Sequence, residues 1–238
     1  MKKEVLIGCS SYNNRFWKGI FYPDNLSSSR WFEFYCQYFR SYEFNGSFYR
    51  FPTVKIFENW YKKTPDDFIF SVKAPKEITH IKKFVDCEDQ ISAFYSVCEM
   101  GLKEKLGCVL FQFPPSFQFS TVKLSQIISK LDLKFKNVIE FRHESWWNQE
   151  VWDAFRDNNI TFCSVSYPQL PDTIFADFPL IYIRLHGVPK IFSSGYSLEQ
   201  LLYIKSIINL KSGFIYFNNT ASEAGILNAL ELKKHMLE

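Results

Sequence analysis

The sequence lacks the cysteine patterns that mark metal centres and redox sites. None of its six cysteines is part of a C-x-x-C pair, which argues against a zinc ribbon and a thioredoxin-like dithiol. Cys9, Cys108 and Cys163 lie in apolar runs, where a cysteine behaves as a small buried hydrophobic residue. We therefore expect a reduced, cytoplasmic protein.

Long apolar runs, strong charge and a nucleotide fingerprint are also missing. No run approaches the roughly 20 residues that cross a bilayer, so no membrane partner is expected. The net charge of +3 is too small to indicate a nucleic-acid surface, which needs clustered Lys and Arg. Gly8, Gly187 and Gly195 form no G-x-G-x-x-G motif, and the sequence predicts no cofactor.

Short apolar segments, by contrast, occur eight times and alternate with helical patterns. The segments span 4–9, 41–47, 68–72, 108–113, 138–141, 160–165, 180–185 and 213–217. Between most of them, apolar residues recur at i, i+3, i+4 and i+7, which is typical of a helix that buries one face. Thr53 and Asn148 are expected N-caps, and only Tyr167 to Phe178 shows no helical pattern.

This alternation predicts parallel strands joined by crossover helices. No Pro-, Gly- or Ser-rich linker separates the units, so we expect a single domain over residues 1–238. The predicted fold is α/β, a (β/α)8 TIM barrel with eight parallel strands and outer helices. Two sheets of four strands are the structural alternative.

Polar residues gather at the predicted carboxyl ends of the strands, where a TIM barrel carries its active site. They are Ser10, Ser11, Glu43, Asn45, Lys73, His80, Gln112, Glu140, Arg142, His143, Arg184, His186, Asn218 and Asn219. One polar residue at a strand end is usually a loop or cap contact. Because seven strand ends carry such residues, we predict a functional pocket.

The residue types indicate acid–base chemistry on an anion. Arg142, Arg184 and Lys73 are candidate ligands for a phosphate or carboxylate, since Arg donates two parallel hydrogen bonds to such groups. The candidate acids and bases, which burial or an imidazole ring can bring near neutrality, are Glu140, Glu43, His143 and His186. The remaining residues, predicted to bind substrate, are Asn45, Gln112, Asn218, Asn219 and His80.

Other interpretations of these residues stay open. The cations can instead pair with Glu43 and Glu140 in a purely structural network. Lys73 can form a Schiff base, although anion binding suits it better. A divalent metal has acceptable ligand types here, but no H-x-E or H-E-x-x-H pattern occurs and nearby cations disfavour it, so no metal ligand is assigned.

Ten short motifs run in order along nearly the whole chain. They are IGCS (7–10), FYP (21–23), NGSFYR (45–50), TPDDF (64–68), FSVKAP (70–75), ITH (78–80), LFQFPPSF (110–117), IEFRHESW (139–146), YIRLHG (182–187) and YFNN (216–219). Together they resemble the YecE-like family, domain of unknown function 72. The resemblance implies a TIM-barrel fold and the same twelve catalytic and substrate-binding positions. It implies no established reaction.

Two positions depart from the family pattern. The first strand end usually reads Ser-Gly-Trp in the family, but here it is Ser10-Ser11-Tyr12. After strand six the family often has an acidic residue where this chain has Ser166. If that carboxylate is an essential base, the activity of this chain is altered.

The sequence thus favours an uncharacterised enzyme that acts by acid–base chemistry on a small anionic or phosphorylated compound, sugar-like compounds included. One alternative is a metal-dependent hydrolase of phosphodiesters, by analogy of fold only. Another is a non-catalytic module that binds a nucleotide or nucleic acid, which the modest charge disfavours. The expected partner is a small anionic ligand, and the sequence predicts no oligomeric state.

Overall fold

The computed structural model describes residues 4–208 and 211–237. In this part of the chain the strands are β1 (Val5–Cys9), β2 (Ser41–Phe44), β3 (Ile69–Lys73), β4 (Leu106–Gln112), β5 (Asn137–Glu140), β6 (Thr161–Phe162), β7 (Ser164–Ser166), β8 (Ile181–Leu185) and β9 (Gly213–Phe217). The helices are α1 (Trp31–Tyr38), α2 (Gly46–Tyr49), α3 (Val54–Lys62), α4 (Glu88–Leu102), α5 (Thr121–Lys130), α6 (Gln149–Asp157), α7 (Leu198–Ile208) and α8 (Ala224–Leu237). The predicted alternation of strands and helices is confirmed.

The chain divides into two compact units. Unit 1 comprises the described residues of Met1–Glu43, Thr64–Phe68 and Ser164–Glu238. Unit 2 comprises Phe44–Lys63 and Ile69–Cys163. The single domain over residues 1–238 stays a prediction.

The strands of unit 1 lie in the order β2-β1-β9-β8-β7, and their registered pairs are parallel. Gly213 is required where β9 meets β8, because a Cβ there would lie 2.1 Å from the carbonyl oxygen of Ile181. Between β7 and β8, Val165 pairs with Arg184 and Ser166 pairs with Leu185. Since residues paired in register share one face of a sheet, Ser166 faces the side opposite to Arg184.

The strands of unit 2 lie in the order β6-β5-β4-β3 and are also parallel. Gln112, the last residue of β4, pairs with Glu140, the last residue of β5. Lys73 is the last residue of β3. The register therefore brings the carboxyl ends of three strands, with their polar side chains, to one edge of this sheet.

Two predicted strands differ from the structure by more than one or two residues at their ends. The sixth, predicted over 160–165, is split at Cys163 into β6 and β7, so nine strands replace eight among the described residues. β6 pairs with β5, whereas β7 pairs with β8. The second strand ends at Phe44 because Asn45 has helical backbone angles and precedes α2, so the placement of Asn45 within a strand was wrong.

Local sequence signals explain several other boundaries. Thr53 and Asn148 accept hydrogen bonds from backbone N–H groups of α3 and α6, which confirms both predicted N-caps. The segment 167–178 contains no helix, as predicted. Its residues Phe175 and Phe178 are nevertheless buried, so this loop takes part in the core of unit 1.

Helices α3 and α4 of unit 2 meet at Gly101. A Cβ at this position would lie 2.4 Å from Cβ of Phe57 and 3.0 Å from the carbonyl oxygen of Val54. We expect Gly101→Ala to lower the free energy of unfolding by about 1–3 kcal/mol, because the helices must move apart. Urea denaturation measures this change. Ser96→Ala, at an exposed site on the same helix, is the control and should stay within about 0.5 kcal/mol; equal losses in both variants would contradict the close approach.

Candidate functional site

Glu43 of unit 1 is held in a buried ion pair with Arg184. Its two carboxylate oxygens accept from Nε of Arg184 at 3.1 and 2.9 Å, and Oε1 also accepts from Nη2 at 2.7 Å. The hydroxyl of Tyr182 donates to Oε2 at 2.8 Å. Glu43 is 0% exposed and Arg184 is 1% exposed. This arrangement matches the alternative in which a cation pairs with Glu43 in a purely structural network. The predicted catalytic role of Glu43 and the predicted binding role of Arg184 stay predictions.

A second group in unit 1 links β1, β8 and β9. The hydroxyl of Ser10 donates to Oδ1 of Asn218 at 2.7 Å, and Nδ2 of Asn218 lies 2.9 Å from Nδ1 of His186. With the amide donating, Nδ1 of His186 accepts and the imidazole carries its proton on Nε2. His186 is fully buried, whereas Asn218 is half-buried. The network therefore fixes the orientation of the His186 ring.

Asn219 lies in the loop after β9, as Asn218 does, but it is hydrogen-bonded to a different residue. It is fully buried, and its Nδ2 donates to the carbonyl oxygen of Ser194 at 2.9 Å. The amide thus joins the loop after β9 to the loop after β8.

Lys73, Gln112 and His80 form a polar group in unit 2. Nζ of Lys73 donates to Oε1 of Gln112 at 2.8 Å and lies 4.0 Å from the ring centre of Phe48. Nε2 of Gln112 lies 3.5 Å from Nε2 of His80, whose Nδ1 lies 2.9 Å from the hydroxyl of Thr79. His80 sits on a π-helical turn, Glu77–Ile81, that follows β3. Lys73 and His80 are both partly exposed.

His80 experiences a positive electrostatic field. Burial lowers its pKa first, and the charges of Lys73 and Arg142 lower it further, to about 4. The negative charge of Glu140 opposes this shift without reversing it. The imidazole is therefore neutral near pH 7, and the local charge favours a bound anion.

Glu140 and Arg142 lie together, as strand alternation predicts. Nε of Arg142 donates to Oε1 of Glu140, and the Arg142 side chain is 9% exposed, against 0% for Glu140. Phe141 faces the other side, where its ring stacks on Trp146 at 3.9 Å. Glu140 thus orients a guanidinium group that remains partly accessible.

His143 and Asn45 take part in local structure. Nδ1 of His143 accepts from the backbone N–H of Ser145 at 3.2 Å and lies 2.8 Å from its hydroxyl. His143 therefore caps the short helical turn Glu144–Trp146. Asn45 is half-buried at the start of α2. Their predicted roles in catalysis and substrate binding are not tested by this geometry.

Three sets of contacts were missed by sequence reasoning. Tyr182 contacts Glu43, and its spacing of two from Arg184 in one strand could have placed both on the same face. Thr79 contacts His80, as its position next to the histidine allowed. Ser166 contacts Asp172 and Tyr196, and no local pattern indicated this group.

Among the described residues, no group of three or more His, Cys, Asp or Glu side chains is placed to hold a metal ion. The helices in the described ranges also include none that is long and apolar enough to cross a membrane.

Comparison with known proteins shows the family of this chain. Residues 6–238 match the family described as "Protein of unknown function DUF72". The chain belongs to this family. A solved DUF72 structure from Thermotoga maritima is similar with a TM-score of 0.86 and 28% identity, covering 98% of this chain and 99% of that chain. This likeness confirms the TIM-barrel fold.

Two curated relatives are similar in sequence. UPF0759 protein YunF of Bacillus subtilis (strain 168) is 30% identical over 139 residues, which are 56% of this chain and 49% of that protein. UPF0759 protein YecE of Escherichia coli (strain K12) is 27% identical over 116 residues, 48% of this chain and 42% of that protein. The chain therefore spans about half the length of the curated relatives it matches. A DUF72 structure from Enterococcus faecalis shares the fold, with a TM-score of 0.83, 18% identity and coverage of 99% and 96%.

Proposed function

We propose that this DUF72 protein is an enzyme that acts by acid–base chemistry on a small anionic or phosphorylated compound. The observation that carries the proposal is the positive field around the neutral, partly exposed His80 in unit 2. Lys73 contributes to that field from the end of β3, and Arg142 contributes from the segment after β5, on the other side of β4. A phosphate or carboxylate is the ligand that such a field stabilises most.

Lys73 and Arg142 are proposed to hold the anion. Arg142 presents a planar group that Glu140 keeps in one orientation, and Gln112 does the same for the ammonium group of Lys73. A rigid cation loses little conformational freedom when a ligand binds, so both contacts favour affinity. In this proposal Glu140 acts as a positioning residue.

His80 is proposed to exchange the proton. A bound anion cancels part of the positive field, so it raises the pKa of the imidazole from about 4. His80 can then take up a proton in the complex and deliver it to the ligand as a general acid. Glu43 and His186 of unit 1 and His143 of unit 2 remain the other predicted acid–base residues.

A thermal-shift screen of phosphate, sulfate and phosphorylated or carboxylated metabolites tests this function. We expect a hit to stabilise the wild-type protein, by about 2.7 kcal/mol at a concentration 100 times its dissociation constant. Arg142→Ala should remove most of this stabilisation because it removes the guanidinium donors. Arg156→Ala, which breaks the Arg156–Asp153 pair on α6, is the control and should retain the stabilisation by the ligand. A hit that stabilises Arg142→Ala as strongly, or no hit at all, would count against the proposal.

A further inference from the structure

A small cleft in unit 1 lies on the face of β7 and β8 opposite to Arg184. Ser166 and Leu185 are paired in register on this face, and both line the cleft. Helix α7 contributes Gln200, Tyr203 and Ile204 to another wall. The cleft encloses about 60 Å³. Because a water molecule takes about 30 Å³ of the liquid, this space suits a group with a few heavy atoms.

One charge stands in this cleft. Among the described residues that line it, Asp172 is the only charged side chain. The other polar members include Ser164, Ser166 and Thr173, whose hydroxyl groups are neutral. A ligand that complements this set carries a positive charge.

Two hydroxyl groups line the cleft beside Asp172. Ser166 lies near both Asp172 and Tyr196. The hydroxyl of Tyr196 accepts from the backbone N–H of Gly187 at 2.8 Å. A carboxylate has about four acceptor positions, so acceptor capacity remains for a ligand.

The floor of the cleft is apolar. Ile183, Leu185 and Ile204 are at most 5% exposed and form this surface. Tyr203 stands at the edge and is 63% exposed. An aromatic ring at the edge of an anionic cleft also favours a cation. The ligand that uses all of these surfaces has a cationic head and a short apolar stem.

We propose that this cleft binds a small primary amine, with its ammonium group held by Asp172 and its alkyl stem against Ile183, Leu185 and Ile204. The ammonium supplies three donors and no acceptor, which suits a carboxylate surrounded by hydroxyl groups. Asp172 is exposed at the edge of the cleft, and partial burial of its carboxyl group raises its pKa, with Ser166 opposing the shift. The cleft shares no residue with the anion site of unit 2, so either proposal can fail without the other.

Titration with n-propylammonium chloride, followed by amide NMR and calorimetry, tests the proposal. We expect saturable binding that shifts the amide signal of Gly187, because Tyr196 joins that amide to the cleft. Asp172→Asn should weaken binding by about tenfold or more, since it removes a charge-assisted contact. Asp177→Asn removes the same charge from a position on the same loop that does not line the cleft, and should leave binding within about twofold.

Two further arms keep the test decisive. Gln200→Glu adds a second carboxylate on an exposed helical position and preserves the mutual cap that Gln200 forms with Ser197. It should tighten binding about two- to fivefold, even if Asp172→Asn fails to fold. Ammonium chloride and n-propanol should each bind more weakly than n-propylammonium. Equal binding of either probe, no saturation of the wild type, or equal weakening by Asp177→Asn would overturn the proposal.

Discussion

Replacing Glu43 with Gln is expected to lower the free energy of unfolding by about 3–5 kcal/mol. The substitution keeps the shape of the side chain but removes its charge, so the buried guanidinium of Arg184 loses its counter-ion. Tyr182 also loses a charged acceptor for its hydroxyl. Because the site excludes solvent, water cannot replace either interaction without reorganising the core. Urea denaturation monitored by circular dichroism measures the loss.

Two comparisons isolate the cause. Glu33→Gln breaks an exposed ion pair with Arg30, in which the Glu33 side chain is 57% exposed and the Arg30 side chain is 67% exposed. This substitution should lower the free energy of unfolding by at most about 1 kcal/mol. The triple variant Glu43→Leu/Arg184→Met/Tyr182→Phe removes all three polar partners together and should be more stable than Glu43→Gln, since no charge is left unpaired. A loss below about 1 kcal/mol for Glu43→Gln would show that the pair is not sealed from water as described.

His80 should titrate with a pKa of about 4 in the folded protein, against 6.5 for an unperturbed histidine. Proton NMR can follow the C2–H signal of His80, because only four histidines in the chain give such signals. Lys73→Met removes one of the positive charges that depress the pKa, so the midpoint should rise. Lys123→Met, on α5, is the control and should leave the titration midpoint of His80 unchanged. A wild-type midpoint near 6.5 would remove the main support for the anion site.

The same shift makes stability depend on pH. Between pH 6.5 and about 4 the unfolded chain binds a proton at His80 that the folded protein does not bind. The free energy of unfolding should therefore fall as the pH decreases through this window. His80→Gln removes the titrating group, so the decline between pH 6.5 and 5 should be less steep than in the wild type. Identical slopes would contradict the depressed pKa.

The alternation of apolar strands and helices was predictable because each pattern extends over many residues and follows backbone periodicity. The same periodicity placed Glu140 and Arg142 on one side of the chain and Phe141 on the other. It could not show that Glu43 lies against Arg184, since that contact joins strands far apart in sequence and depends on register. Asn45 was misplaced for a local reason, because the apolar run continues past the point where the backbone turns helical.

Ser166 shows a further limit of sequence reasoning. The family resemblance placed Ser166 where related proteins often have an acidic residue, and its side chain points to the face that carries Leu185. A shift of one position reverses the side of a strand to which a residue points, and the split at Cys163 makes the register here unpredictable from the pattern alone. The group that Ser166 forms with Asp172 and Tyr196 needs coordinates to be found.

The pairing of β1 with β9 has a consequence for synthesis of the protein in the cell. Val5–Cys9 pairs with Gly213–Phe217, so the two strands are separated by about 200 residues of chain. At about 5–20 residues per second, β1 is made about 10–40 s before its partner. During this time one edge of β1 offers unpaired backbone groups to any neighbouring strand. This edge of β1 therefore stays without its partner until β9 is synthesised.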